Sequence, residues 1–225
     1  MSNQDKKIQE LFDAGCHLGH KKNKIHPKAK KYIYTFEQGT SIIDLTKTAA
    51  LLEKAKEFIS QLAKEKKSLV VVATKKIASN LIGEICQTSN IAYINQKWPA
   101  GLLTNFETIS KNIKKLKDMK KQKEDGEWKK FVKHEQIKLE KKLKKLEKFY
   151  GGIASLEKLP DALFIIDIKK EKNAVKEAKS MSIPIIAIVD TNVNPDQVDY
   201  PIPANDDSVS SIEYIVKEIV SAYKI

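Results

Sequence analysis

The sequence predicts an α/β protein with a doubly wound, mainly parallel central sheet. Two apolar runs, residues 162–168 and 183–189, carry the prediction, with Asp167 inside the first and Asp190 directly after the second. Neither run alternates apolar with polar residues, so both faces of each strand should be buried, as in a parallel sheet covered by helices. The intervening residues 169–181 have helical composition and enough length for the crossover between parallel strands. Together they predict a βαβ unit.

The rest of the chain extends this unit. A hairpin is predicted around Gln38-Gly39, and Asp44 or Thr46 can cap the helix that follows it. The apolar face of that helix is Ala49, Leu52, Ala55 or the Lys56 stem, Ile59 and Leu62. Further strands are predicted at 69–73, 91–94 and 201–202, with helices over 77–86 and 208–223. Ile8, Leu11 and Phe12 mark one face of a short N-terminal helix. This alternation of strands and helices is typical of a doubly wound sheet.

Residues 104–150 interrupt the alternation. Apolar residues at heptad spacing predict two helices joined near Asp125-Gly126, which would form an antiparallel coiled-coil hairpin with a loose tip at Lys120 and Gln136. The first seam comprises Phe106, Ile109, Ile113 and Leu116, and the second Val132, Leu139, Leu143, Leu146 and Tyr150. We therefore predict an α/β domain formed by residues 1–103 and 151–225, with a basic arm within 1–36 and an inserted hairpin at 104–150.

Positive charge is concentrated in the arm and the insertion. Of the net charge of +12, residues 1–36 contribute eight Lys against three acids, and residues 104–150 contribute sixteen Lys against eight. Two basic surfaces on a nearly neutral scaffold favour a polyanionic partner over simple solubility. All 41 basic residues are Lys, which favours recognition of nucleic-acid backbone and shape over base reading. The arm at 21–31 has little to bury, so we expect it to be poorly ordered without RNA.

Several classes of protein are disfavoured. No apolar run approaches bilayer length and the N-terminus lacks a signal core, so a cytoplasmic protein is expected. Cys16 and Cys86 are too few for a disulfide framework, and Cys16 with the histidines of the arm makes an incomplete zinc site. The predicted strand ends carry Thr74, Lys75 and Lys76, but the chain has neither a P-loop nor GxGxxG. We therefore expect no enzyme and no obligate cofactor.

Six segments carry a family resemblance. They read LFDAGCHLGHKKNKIHPKAKKYIY, GTSIIDLTKT, WPAGLLTNFETI, FYGGI, LPDALFIIDI and IPIIAIVDTNVNPDQVDYPIPANDD. In this order, over nearly the whole chain, they resemble the bacterial type of small ribosomal subunit protein two. The resemblance implies a flavodoxin-like domain with a protruding coiled coil, and a structural, non-catalytic role in subunit assembly. It also implies binding to small-subunit ribosomal RNA and neighbouring ribosomal proteins, including docking of protein one, without DNA or membrane. The chain departs from the family pattern at Asn95-Gln96-Lys97 and at Pro99-Ala100.

Candidate site residues follow from the charges and from the resemblance. The candidate RNA-binding residues are His17, His20, Lys21, Lys22, Lys24, Lys28, Lys30, Lys31, Lys75, Lys76, Lys97, Trp98, Asn105, Lys111, Lys114 and Lys115. Asp190, Asp206 and Asp207 could hold Mg²⁺ if they converge, or the last two could serve the helix that begins near Ser208. A nucleotide-binding α/β enzyme or regulator, and a coiled-coil adaptor for a protein, are the alternative functions.

Overall fold

The computed structural model describes residues 3–224, with side chains from residue 5 onward; residues 1, 2 and 225, inside the predicted domain bounds, lie outside it. The strands are β1 Leu18–Lys21, β2 Ile33–Glu37, β3 Thr40–Ile43, β4 Leu69–Val72, β5 Ala92–Ile94, β6 Ala162–Ile166, β7 Ile185–Val189 and β8 Tyr200–Pro203. The helices are α1 Asn3–Asp13, α2 Leu45–Lys64, α3 Ser79–Thr88, α4 Phe106–Glu124, α5 Lys133–Tyr150, α6 Lys172–Ser180 and α7 Val209–Tyr223.

The central sheet has five parallel strands in the order β5-β4-β6-β7-β8. Counted along the chain this is the order 2-1-3-4-5, one of the two common doubly wound arrangements. Every residue of β6 and β7 is buried, which is why neither apolar run alternates. The α/β class predicted from the sequence is confirmed.

Helices cover both faces of this sheet. On one face, α1, α2, α3 and α7 pack over Val71 and Phe164. On the other, α6 and the first part of α4 pack over Val70 and Leu163, together with residues 98–103. The apolar face predicted for α2 is buried throughout, and Asp44 caps that helix by accepting from the Thr46 amide. The two layers leave the carboxyl ends of the strands at one edge.

The N-terminal segment forms a second, antiparallel sheet in the order β1-β3-β2. The predicted hairpin is present: Gln38 and Gly39 both have positive φ, 47° and 79°, as a two-residue turn requires. Strand β1, which has four residues and contains His20, was not predicted from the sequence.

The basic arm differs from expectation because it has defined contacts. Short 3₁₀ helices run over Lys22–Lys24 and Pro27–Tyr32. Ala29 is buried, and the His26 amide donates to the Thr191 carbonyl at 2.9 Å. Backbone hydrogen bonds and one small buried side chain hold the segment, and composition does not show either feature.

Helices α4 and α5 run in opposite directions, since Lys120 pairs with Glu147 and Lys123 with Glu140. Ile109 and Ile113 pack on the sheet, while an outer cluster closes around Leu143. That outer cluster is Leu116, Met119, Trp128 and Leu143. The coiled-coil geometry itself stays a prediction.

Two details of the hairpin differ from the predicted seam. Val132 precedes α5 and is 67 % exposed, so it takes no part in the helix pair. Trp128, which the heptad pattern does not include, lies in a 3₁₀ turn between the helices and is buried. The tip is therefore filled by an indole instead of being loose.

Candidate nucleic-acid interface

The carboxyl ends of the central strands meet in a network around Lys75, which follows β4. Its ammonium lies 2.8 Å from Asp206 Oδ1, 2.7 Å from Asp207 Oδ1 and 3.5 Å from Asp167 Oδ2. It also donates to the Asp206 carbonyl at 2.6 Å. Burial lowers the pKa of Lys75, but the hydrogen bonds to Asp206 and Asp207 outweigh burial and raise it above its ordinary value. Lys75 thus pairs with carboxylates of the protein, and its contact with RNA stays a prediction.

Strand β1 crosses the same edge and covers the end of β7. His20 Nδ1 lies 3.1 Å from Asp190 Oδ2, and the His20 amide donates to Thr191 Oγ1 at 2.9 Å. The hydrogen bond with Asp190 raises the pKa of His20. Gly19 permits the approach, because a Cβ at this position would lie 2.5 Å from Ser41 Oγ. The His20 ring is therefore held against Asp190 and Asn192, and its contact with RNA stays a prediction.

These contacts bear on the predicted metal site. Asp190, Asp206 and Asp207 do converge, but the Lys75 ammonium already lies between Asp206 and Asp207 and supplies the compensating charge. Within residues 5–224, the group with metal-ligand spacing is His20, Asp190 and Asp207, all of whose ligand atoms lie within 4.8 Å of one another. The donors fit a cation of the Mg²⁺ or Zn²⁺ type, but the ammonium competes for the same carboxylates. The metal site stays a prediction.

Cys16 and His17 lie close to this network but have other surroundings. Cys16 is buried, and Ser211 donates to its Sγ at 3.3 Å. The His17 ring stacks on Phe12 with centroids 4.2 Å apart, and burial lowers the pKa of His17. A ring held in this way is more suited to stacking than to binding phosphate as a cation.

Trp98 is the fourth predicted RNA-binding residue whose contacts lie within the protein, after Lys75, His20 and His17. It is 6 % exposed, and its Nε1 donates to Glu177 Oε1 at 2.9 Å. Glu177 also accepts from the backbone amides of Gly101 at 2.9 Å and Leu103 at 3.1 Å. The amide donors of this loop are thus committed to α6, and Trp98 anchors the loop instead of presenting a free ring.

The remaining candidate RNA-binding residues, in the arm and elsewhere, lie at the surface. Lys28 and Lys31 each contact Asp196 at 2.9 Å, and together they lower the pKa of Asp196 to about 2. The Lys22 ammonium lies 5.7 Å above the Phe36 ring. The other exposed candidates are Lys21, Lys24, Lys30, Lys76, Lys97, Asn105, Lys111, Lys114 and Lys115. Eleven lysines and one asparagine thus remain accessible to a polyanion.

The family model for ribosomal protein S2 matches residues 11–224. The chain belongs to the ribosomal protein S2 family. As an S2-family member it is a structural constituent of the small ribosomal subunit, acts in translation and is located in the ribosome in the cytoplasm, as predicted. Ribosomal proteins of this kind are generally non-enzymatic and not usually dependent on cofactors. Among the helices of the described part of the chain, none is both long enough and apolar enough to cross a membrane.

Sequence reasoning missed one basic surface of this S2-family chain. Lys169, Lys172, Lys176 and Lys179 lie on or just before α6 and line a cleft that His26 of the arm also borders. Lys172, Lys176 and Lys179, spaced by four and three residues, lie on one face of α6, and Lys169 precedes the helix by three residues. The signal was hidden because residues 151–225 hold eight Lys against twelve acids and read as acidic overall.

Proposed function

We propose that this S2-family protein binds small-subunit ribosomal RNA through the exposed lysines of the arm, residues 21–31, and of the hairpin, residues 104–150. The lysines contact phosphates as point charges, because a chain without Arg lacks the planar fork that reads a guanine edge. The protein therefore recognises the position of RNA backbones in the folded subunit and not a base sequence.

The observation that carries the proposal is the excess of unpaired ammonium groups. Within the described residues, only three of the sixteen hairpin lysines, Lys111, Lys120 and Lys123, lie within 4.0 Å of a carboxylate. In the arm, Lys28 and Lys31 share the single carboxylate of Asp196. Lysines arranged in this way release counterions when they meet phosphates, which favours binding to RNA.

The two basic surfaces suggest a division of labour. The arm is fixed beside the strand ends, whereas the outer part of the hairpin buries its own cluster around Leu143 and extends from the α/β domain as a separate element. We propose that the hairpin, packed as a coiled coil, brings together RNA segments during subunit assembly. Docking of ribosomal protein one belongs to the same proposal and rests on the family resemblance.

The alternative of a nucleotide-binding enzyme finds less support. Ligands of doubly wound proteins bind beyond the carboxyl ends of the strands. Here that edge is covered by β1, with His20 against Asp190, and it is filled by Lys75. A coiled-coil adaptor for an acidic protein would use the same lysines as RNA, so the two are separated by experiment.

Binding and incorporation test the proposal together. Purified protein is titrated with small-subunit ribosomal RNA at several salt concentrations, and tagged protein is followed through a sucrose gradient of cell extract. We expect salt-sensitive binding that does not discriminate between sequences of similar fold, and sedimentation with small subunits. A protein that stays at the top of the gradient and binds acidic polypeptide better than RNA would contradict the proposal.

A further inference from the structure

A cleft of about 530 Å³ lies between the base of the hairpin and the loop that precedes Gly101. Residues that are far apart in the sequence, in the loop and in the insertion, meet at this cleft. Lys97 and Pro99 come from the loop, and Lys142, Lys145 and Phe149 come from α5. A volume of this size is within the range of sites that take a small molecule or one unit of a polymer.

The charge around the cleft is uncompensated. Lys97, Lys142 and Lys145 are exposed, and within residues 5–224 none of them lies within 4.0 Å of a carboxylate. No acidic residue of the described chain lines the cleft. Lys115 of α4 also approaches Lys142 and lowers the pKa of Lys142. Positive groups thus surround the opening from the loop and from the hairpin, which suits an anionic ligand.

The wall of the cleft is apolar and partly aromatic. Phe149, Tyr150 and Pro99 are half-buried, so each leaves part of a ring surface open. The Tyr150 hydroxyl accepts from Asn112 Nδ2 at 3.3 Å, which fixes the ring against α4. Trp98 supports the wall from beneath, held by Glu177. Flat apolar surface beside ammonium groups is the combination that proteins use for unstacked bases and their phosphates.

We propose that this cleft receives an unpaired nucleotide of the small-subunit ribosomal RNA. The base lies against Phe149, Tyr150 and Pro99, and the flanking phosphates contact Lys97, Lys142 and Lys145. The inference rests on the proposed function and adds to it a preference for single-stranded over duplex RNA. A duplex offers phosphates but keeps its bases stacked, so it cannot use the apolar wall. The carboxylates of an acidic peptide could pair with the lysines, but such a peptide has no base to stack on the rings.

Two matched double variants test the lysines. Lys142→Gln with Lys145→Gln removes two charges at the cleft, and Lys141→Gln with Lys144→Gln removes two exposed charges of the same helix that do not line it. The probes are a short fluorescent uridine oligonucleotide and an RNA duplex of the same length. We expect the cleft pair to weaken oligonucleotide binding about tenfold more than the control pair, and both pairs to weaken duplex binding equally.

The variant Phe149→Ala tests whether a base packs against the apolar wall of the cleft. Phe149 is half-buried and belongs to none of the core clusters of the described residues, so the variant should fold, as a circular dichroism melt will confirm. It should lose oligonucleotide affinity while keeping duplex affinity. If Phe149→Ala leaves both affinities unchanged, or the two lysine pairs behave alike toward the oligonucleotide, the cleft holds no base. Those results would leave the proposed function intact, since the wild type would still bind ribosomal RNA. Tighter binding of an acidic peptide than of the oligonucleotide at the cleft would also overturn the inference.

Discussion

Glu177 accepts a hydrogen bond from the Trp98 indole at 2.9 Å and thereby ties the loop before the hairpin to helix α6. The same carboxylate takes the amides of Gly101 and Leu103, so one side chain holds three donors of a loop whose backbone turns at a φ of +86° at Gly101. The loop in turn places Lys97 and Pro99 at the cleft.

Glu177→Ala should therefore destabilise the protein by about 2–3 kcal/mol, because hydrogen bonds to a charged acceptor are removed and partly buried donors are left unpaired. Glu177→Gln should cost less, since an amide oxygen at the Oε1 position still accepts from Trp98 and Gly101, and only the Leu103 amide loses its acceptor. Urea unfolding followed by tryptophan fluorescence measures both. Glu213→Ala, which removes a surface pair with Lys217, is the control and should change stability by less than about 1 kcal/mol. Equal effects of Glu177→Ala and Glu213→Ala would show that the loop is held by other contacts.

Adjacent glycines after α5 should respond in opposite ways to alanine. A Cβ on Gly152 would overlap the Tyr93 carbonyl oxygen, whereas a Cβ on Gly151 would meet only Glu147 Cγ at 3.5 Å. Gly152→Ala should cost about 2 kcal/mol or more, because backbone must move to relieve the overlap. Gly151 has helical dihedrals, so Gly151→Ala should be neutral or stabilising by up to about 1 kcal/mol. Thermal melts of the two variants test this difference. Similar melting temperatures would contradict the packing of this turn against β5.

Glu171 should make stability depend on pH in a predictable direction. Burial raises the pKa of Glu171, while Thr74 and Lys170 oppose the shift and Asp167 adds to it. A carboxyl whose pKa is raised by folding contributes its stability below its ordinary value of 4.5 and loses that contribution as pH rises through the folded pKa. Glu171→Gln keeps an acceptor for the Thr74 hydroxyl without the charge. The stability of the Glu171→Gln variant relative to wild type should therefore rise between acid and neutral pH.

Urea midpoints measured across that pH range test the direction of the Glu171 effect. The exposed Glu157→Gln variant serves as the control and should follow wild type throughout. A Glu171→Gln difference that is constant with pH would mean that Glu171 titrates normally in the folded protein.

Truncation of the hairpin must respect its base. Ile113 packs on the sheet, so removal of residues 111–148 would cut into the core of the α/β domain. Replacement of residues 118–145 by a short Gly-Ser linker leaves Ile113 and Tyr150 in place. It removes Met119, Trp128 and Leu143 of the outer cluster, and only Leu116 of that cluster remains. We expect the truncated protein to melt cooperatively near the wild-type temperature and to bind ribosomal RNA with a smaller salt dependence. Loss of the cooperative melt would show that the hairpin stabilises the sheet as well.

The arm should contribute a measurable part of the salt dependence. Lys28→Ala, Lys30→Ala and Lys31→Ala together should lower the slope of log affinity against log salt by about 0.7–0.9 for each phosphate that is no longer neutralised, without changing preference among RNA sequences. Asp196→Asn should act in the opposite direction, because it releases Lys28 and Lys31 from their shared carboxylate. Filter binding at several salt concentrations measures both. A triple variant that keeps the slope but loses preference for one RNA would mean that these lysines read bases.

Sequence patterns predicted the elements whose burial is continuous. Strands β4, β6 and β7 and the apolar face of α2 lie where the runs and the helical spacing placed them, because a buried strand or stripe must be apolar in sequence. Strand β1 escaped prediction since four residues with His20 among them carry no alternation. Trp128 escaped because a single indole in a turn belongs to no repeat.

The candidate site was harder to predict than the fold. Whether a lysine meets water or carboxylates depends on residues far away in sequence: Lys75 pairs with Asp206 and Asp207, and His20 with Asp190. The segregation of charge correctly pointed to the arm and the hairpin as surfaces. The charge pattern missed the four lysines on or just before α6. Acidic residues elsewhere in 151–225 outnumber the lysines, so the net charge summed over that segment is negative.

The covering of the strand ends by β1 has a consequence for the order in which the chain matures. The N-terminal segment is synthesised before the residues that it contacts: the Gly15 carbonyl accepts from the Asn205 side chain, and the His26 amide donates to the Thr191 carbonyl. Until Asp196 is made, Lys28 and Lys31 lack their carboxylate partner and are open to any nearby polyanion. A nascent S2-family chain thus offers its cationic end to cellular RNA before its own carboxylates, Asp190 and Asp196 among them, have been synthesised.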